Sequence, residues 1–206
     1  MRETPAQGGG QVKYNLFLFE LRGRAYYSKK MTQLPHTPFT PWATRPTADV
    51  RRASQAQYMH GMTEILAAEG PMQALSLFQI YGKASGVMKL AAPVRKLCER
   101  ALLAGVKAGE IVLEKEDDSE IEGPEDSVGW IVRLPDQPRV IVRDLGNRGF
   151  ADIPMSELAA LVLDIRTQDE FMGREDIYRA VLDHYGLQKL TALVRRRLDQ
   201  VLKVYF

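Results

Sequence analysis

Lys89, Arg95, Lys96 and Arg100 are followed, one hundred positions later, by Lys189, Arg195, Arg196, Arg197 and Lys203. Cations grouped this way along a helix serve one kind of chemistry. Each Lys or Arg placed on a phosphate releases condensed counterions, giving an affinity that falls steeply with salt. Reading base edges would need bidentate Arg, Asn or Gln as well. Gln188 and Gln200 are available, but their spacing does not single them out. These nine cations are the candidate nucleic-acid-binding residues, and the expectation is backbone-dominated, weakly sequence-specific binding to duplex DNA. A solvated helix face kept basic for solubility competes with that reading; recurrence of the pattern in two places argues modestly against it.

Other chemistry is missing. No GxxxxGK[ST] loop is present, so ATP hydrolysis of the common type is not expected. Gly8–Gly10 reads as a flexible tail and Gly146–Gly149 as a turn. His36, His60 and His184 lie far apart, with no Cys or carboxylate at ligand spacing, so no metal site is expected. Pro135-Asp136 begins like a nuclease motif, but no acidic-x-Lys follows. The single cysteine, Cys98, aligns with Leu198 and reads as a packing residue. Trp42 and Trp130 could stack on a base or fill a core, and Trp130, in a strand between apolar neighbours, reads as core. The expectation is a non-catalytic protein with no cofactor.

What positions the cations is a repeat. "KLAAPVRKLCERAL" (Lys89–Leu102) and "KLTALVRRRLDQVL" (Lys189–Leu202) align without a gap, as do Ile65 with Ile165, Leu77 with Ile177, Phe78 with Tyr178 and Gly86 with Gly186. The match extends weakly back to Ala53 and Ile153, and describes one structural unit duplicated once. Each copy reads as three helices. In the first, Thr47 or Asp49 is expected to cap a helix bearing Tyr58, Met62, Ile65 and Leu66, and "EGP" stops it at Glu69–Pro71, with Pro71 in the first turn of the next helix. Leu75, Phe78 and Tyr81 mark that second helix, which is expected to end at a left-handed Gly86. Leu90, Val94, Leu97 and Ala101 mark the third, beginning near Ala91 or Ala92 because Pro93 clashes deeper in a helix. The second copy repeats this with Leu158, Leu161, Val162 and Ile165, then Ile177, Val181 and Leu182, then Leu190, Val194, Leu198 and Val201.

Strand-like stretches follow the first copy: the start of "GEIVLEKEDD" at Gly109, then Gly129–Leu134 and Arg139–Leu145. Three helices and a β-hairpin form the pattern of a winged helix. The fold class expected is therefore α+β: two tandem winged-helix-like three-helix units with a β-hairpin wing and an N-terminal β segment. Residues 1–46 hold that segment, centred on the alternating Gln11–Glu20, and a four-proline connector over Leu34–Pro46. Residues 47–145 form the first unit and 146–206 the second, whose wing is short or missing. The loop Glu114–Ser127 holds eight acidic residues and one lysine. A wing tip of that charge must point away from DNA, bind a basic partner, or stay a solvated loop.

The stretch "EILAAEGPMQALSLFQIYGKASGVMKLAAPVRKLCERAL", followed by "WIVRLPDQPRVIVRDLGNRGFADIPMSELAALV", resembles an uncharacterised C-terminal domain of large bacterial helicase–nuclease proteins. The shared features are the acidic-Gly-Pro step, a helix, a glycine turn, a basic helix, an arginine-containing strand and an "IP..EL" helix start. They cover roughly Ala53–Leu202, without the helicase or nuclease body. The resemblance implies a binding or regulatory module of a nucleic-acid-processing system, including anti-phage defence, and supplies no catalytic residues. The competing class is a protein-interaction or oligomerisation adaptor. Partners weighed are thus DNA, a helicase or nuclease protein, and a second copy of the chain. No membrane partner is expected, because the apolar run Asn15–Phe19 falls far short of the roughly 20 residues a span needs. One cysteine in 206 residues and a start without an apolar signal core fit a cytoplasmic protein.

Overall fold

The computed structural model describes residues 36–116, 127, 129–169 and 171–206. The alternating segment 11–20 and the centre of the acidic loop lie outside them. The chain runs β1 (His36–Thr37), α1 (Gln55–Glu69), β2 (Met72–Gln73), α2 (Ala74–Ala84), α3 (Ala92–Ala108), β3 (Val112–Lys115), β4 (Trp130–Arg133) and β5 (Val142–Arg143). A single 3₁₀ turn, Phe150–Asp152, precedes α4 (Met155–Gln168), α5 (Arg174–His184) and α6 (Ala192–Tyr205). This is an α+β architecture with a small antiparallel sheet of order β2-β4-β3 and a separate parallel pair, β1-β5. Among the described residues no helix is long and apolar enough to cross a membrane.

The repeat is carried by matched backbone geometry. Helices α2 and α5 occupy the same positions one hundred residues apart, and α3 and α6 both begin at the equivalent alanine. The turns between them agree bond for bond: the Val87 and Leu187 amides donate to Gly82 and Leu182, and the Ala91 and Thr191 amides to Lys89 and Lys189. Gly86 and Gly186 have φ of 82° and 65°, the left-handed region where a Cβ would be strained. Each copy buries its own core. Met62, Ile65, Leu77, Phe78, Val94, Cys98 and Leu102 fill the first, and Val162, Ile165, Ile177, Tyr178, Val194, Leu198 and Val201 the second. Burying each large apolar side chain stabilises by about 1.5–3 kcal/mol, which is why the 3.6-residue stripe identifies the helices.

Two boundaries differ from the sequence reading. Helix α1 starts at a Ser54 N-cap and not at Thr47 or Asp49: the Gln57 amide donates to Ser54 Oγ at 3.3 Å, while Gln57 Oε1 accepts the Ser54 amide at 2.9 Å. Asp49 instead closes a turn of its own, accepting the Arg51 amide on Oδ1, and Thr47 Oγ1 donates to the Tyr81 carbonyl. Pro71 precedes a strand: β2 intervenes before α2 and pairs with β4, Met72 facing Val132. The hairpin is β3 with β4, Val112 opposite Arg133 through Lys115 opposite Trp130. The stretch Arg139–Leu145 stays out of that sheet. Its Val142 and Arg143 pair with His36 and Thr37, and Val142 packs into the second core.

A buried ion network joins the two cores. Arg143 comes from β5, and its Nη1 donates to the Glu69 and Gly70 carbonyls at 2.6 and 3.2 Å. Its Nη2 reaches the Pro71 carbonyl at 2.8 Å and Glu157 Oε2 on α4 at 3.2 Å. Arg148 clamps the same carboxylate from the other side, at 2.9 Å to each oxygen. The Arg143 and Glu157 side chains are only 5% and 2% exposed. Burial lowers the Arg143 guanidinium from its usual range, and Glu157 opposes that shift. Phe39 in the connector stacks under both guanidiniums, and the Trp42 amide donates to Glu69 Oε1 at 2.8 Å. The proline-rich connector is thereby pinned to the junction.

Tyr185 lies against this network, its ring edge-on to Phe150 and His184. Among the described residues its enclosed hydroxyl has no hydrogen-bond partner, and burial raises its pKa. An unmet buried donor costs stability, so Tyr185→Phe is expected to leave the folding free energy unchanged or raise it by up to about 1 kcal/mol. A thermal melt of the variant checks this; a loss of more than about 1 kcal/mol shows that the hydroxyl has a partner in solution.

Candidate nucleic-acid interface

Helix α3 is held on α1 by Val94, Cys98, Ala101, Leu102 and Gly105, all buried. At about 100° per residue the opposite side consists of Ala92, Pro93, Lys96, Arg100, Leu103 and Lys107, and every one is exposed. Lys89, in the turn before the helix, is exposed too. Helix α6 is built the same way. Val194, Leu198 and Val201 face inward, while Ala192, Leu193, Arg196 and Lys203 face solvent with Lys189 ahead of them. Six of the nine candidate cations are thus exposed on or just ahead of the outer faces of the two third helices: Lys96, Arg100, Arg196 and Lys203 on the helices, Lys89 and Lys189 in the turns before them.

The other three have structural employment. Arg95 lies on the flank of α3, half-buried, with Nε 3.4 Å from Glu99 Oε1. That carboxylate also accepts the Ser127 hydroxyl at 2.6 Å, tying the end of the acidic loop to the helix. Arg195 makes a two-pronged pair with Glu175 of α5, at 2.7 and 3.1 Å, which raises its pKa. Arg197 is half-buried and donates from Nη2 to the Ile153 carbonyl at 2.5 Å. Its position, about 100° round α6 from Arg196, faces the 3₁₀ turn. Adjacent basic letters in the sequence hide this division of labour.

The acidic loop is anchored at both described ends. Glu114 pairs with Arg133 and Arg139 at 3.2 and 2.8 Å. Glu116 reaches the start of α4, accepting the Met155 and Ser156 amides at 2.8 and 2.7 Å and the Ser156 hydroxyl at 2.7 Å. A carboxylate there satisfies donors that a helix N-terminus leaves open; burial still raises its pKa, against those bonds. The acidic centre of the loop lies outside the described residues.

The outer faces also carry an apolar part. Met88, in the turn before α3, is 98% exposed, Leu193 41% and Leu103 47%. The aligned pairs Ala92/Ala192 and Pro93/Leu193 were legible in the repeat, but helical phase alone ranks them as surface filler. Between the cores, Phe39, Trp42, Met72, Ile80, Lys83 and Arg148 line part of a groove of about 190 Å³. The remaining chemistry-bearing residues lie apart. Cys98 is buried, with burial pushing its thiol up to about 12. His60 is exposed beside Glu64, and His184 Nε2 lies 3.4 Å from the Arg143 carbonyl. Trp42 and Trp130 are both buried in the first core. Among the described residues no group of three or more His, Cys, Asp or Glu is placed to hold a metal. No protein-family model, no curated protein and no solved structure matches the chain.

Proposed function

We propose that the chain is a non-catalytic module that binds duplex DNA through the outer faces of α3 and α6, with phosphate contacts supplying most of the affinity. The observation that carries this is the recurrence of exposed cations on and just ahead of the outer face of both third helices: Lys89, Lys96 and Arg100 in one copy, Lys189, Arg196 and Lys203 in the other. Topology supports the same reading. Helix, short strand, two helices and a hairpin, with the short strand paired to the hairpin's second strand, is the order of a winged helix, in which the third helix enters the major groove. Among the described residues the second unit supplies three helices without a hairpin of its own. Arg95 and Arg197 hold the helices in place, and the six exposed cations meet phosphate. The resemblance of Ala53–Leu202 to a helicase–nuclease domain supports placing the module in a nucleic-acid-processing system.

The test is a titration against a labelled random-sequence duplex at stepped salt. Six phosphate contacts correspond to a log–log slope of about −5, or roughly a thousandfold loss between about 50 and 200 mM salt. No binding at the lowest salt sinks the proposal and passes the molecule to the competing class, a protein-interaction adaptor. The junction groove beside Trp42 and Ile80 is the observation that favours that second reading.

A further inference from the structure

A recognition helix meets base edges with its first turn, while cations further along and before it meet phosphate. The exposed first-turn residues are Ala92 and Pro93 in α3 and Ala192 and Leu193 in α6. None has a side-chain donor or acceptor. Thr191, the neighbouring hydroxyl, already accepts the Val194 amide as the cap of α6. Met88 extends the apolar surface ahead of α3. Each patch is flanked by cations, Lys89 and Lys96 in one copy and Lys189 and Arg196 in the other. That charge favours a polyanion over an apolar protein surface. Pressing such a patch on the polar edge of a G·C pair strips donors and acceptors of water without replacing their bonds. The most prominent apolar group on the major-groove edges is the thymine C5-methyl.

Resting on the DNA-binding reading above, we infer that the first turns of α3 and α6 contact thymine C5-methyl groups, so that the module prefers thymine-containing duplex DNA. It selects by methyl contact and by avoidance of polar edges, with no bidentate hydrogen bonding. This preference is shallow, graded with thymine content, and absent for duplexes in which uracil replaces thymine.

The experiment compares two duplexes of one A·T-rich sequence, one carrying thymine and the other deoxyuridine at every such position, bound by the full chain at low salt. Binding to the thymine duplex is expected to be tighter by roughly three- to tenfold. Leu193→Ser, at an exposed position, is expected to shrink that ratio. Equal affinity of the wild type for both duplexes overturns the inference and leaves the DNA-binding reading standing. A ratio that survives in Leu193→Ser also overturns it, since the preference then comes from duplex stiffness. Absence of binding to either duplex removes the DNA-binding reading itself. Self-association abolished by Leu193→Ser, with both duplexes bound alike, assigns the apolar patch to a second copy of the chain.

Discussion

Glu157→Gln is expected to lower the folding free energy by about 3–5 kcal/mol, seen as a melting temperature lower by about 10 °C. The carboxylate is nearly inaccessible and is shared by two arginines, Arg143 and Arg148. Neutralising it leaves two guanidiniums in a site that excludes water, and removing one member of a buried pair is the costly case. The damage extends beyond the pair. Arg143 is also the donor to the Glu69, Gly70 and Pro71 carbonyls at the end of the first core. A loosened Arg143 therefore frees the junction, and limited proteolysis between Arg133 and Val142 is expected to accelerate. An apolar triple replacement, Glu157→Leu with Arg143→Met and Arg148→Leu, is not expected to recover that stability, because it strips the Glu69, Gly70 and Pro71 carbonyls and the Arg143 amide of their partners. A Glu157→Gln loss below about 1 kcal/mol would show the network to be worth no more than a surface pair.

The combined replacement Lys96→Glu, Arg100→Glu, Arg196→Glu and Lys203→Glu is expected to weaken duplex binding by at least roughly a thousandfold at low salt. All four side chains are exposed, and exposed substitutions away from special features stay within about 0.5 kcal/mol each. The variant should therefore fold, which circular dichroism and a melt would verify. Arg95→Ala and Arg197→Ala provide the contrast. Arg95 is tied to Glu99, and Arg197 to the Ile153 carbonyl, so these changes are expected to cost stability and spare most of the affinity. Affinity unchanged in the four-residue variant would sink the assignment of the outer faces. Affinity lost equally in Arg95→Ala would mean that the flank of α3 takes part in binding.

The repeat, the helices and most of the core were legible in the sequence because they follow from periodicity. A stripe such as Leu158, Leu161, Val162 and Ile165 has one way to hide from water, and Gly86 and Gly186 mark turns whose backbone excludes a side chain. Cys98 opposite Leu198 and Trp130 in the core follow from the same logic. The start of α1 was misplaced because Thr47, Asp49 and Ser54 are all capable caps by type. Only the reciprocal bond between Ser54 and Gln57 selects among them. The short strand β2 was missed because two residues carry no pattern; its partner β4 is nearly sixty positions away and makes the strand.

For the candidate site, the sequence determined that basic residues would cluster at the third helices, since seven-residue spacing keeps Arg196 and Lys203 on one side of α6, with Lys189 in the turn ahead of it. It did not determine which cations are exposed. Arg195 and Arg196 are chain neighbours, yet one is paired with Glu175 and the other faces solvent, because a step of about 100° carries them to different neighbours. Nor did it reveal that Glu157, inside the "IP..EL" motif, is the shared anion of two arginines. Helical phase is a local property and can be read from letters. The partner of a buried charge is set by how separate elements pack, and for Arg143, Arg148 and Glu157 only the tertiary structure decided it.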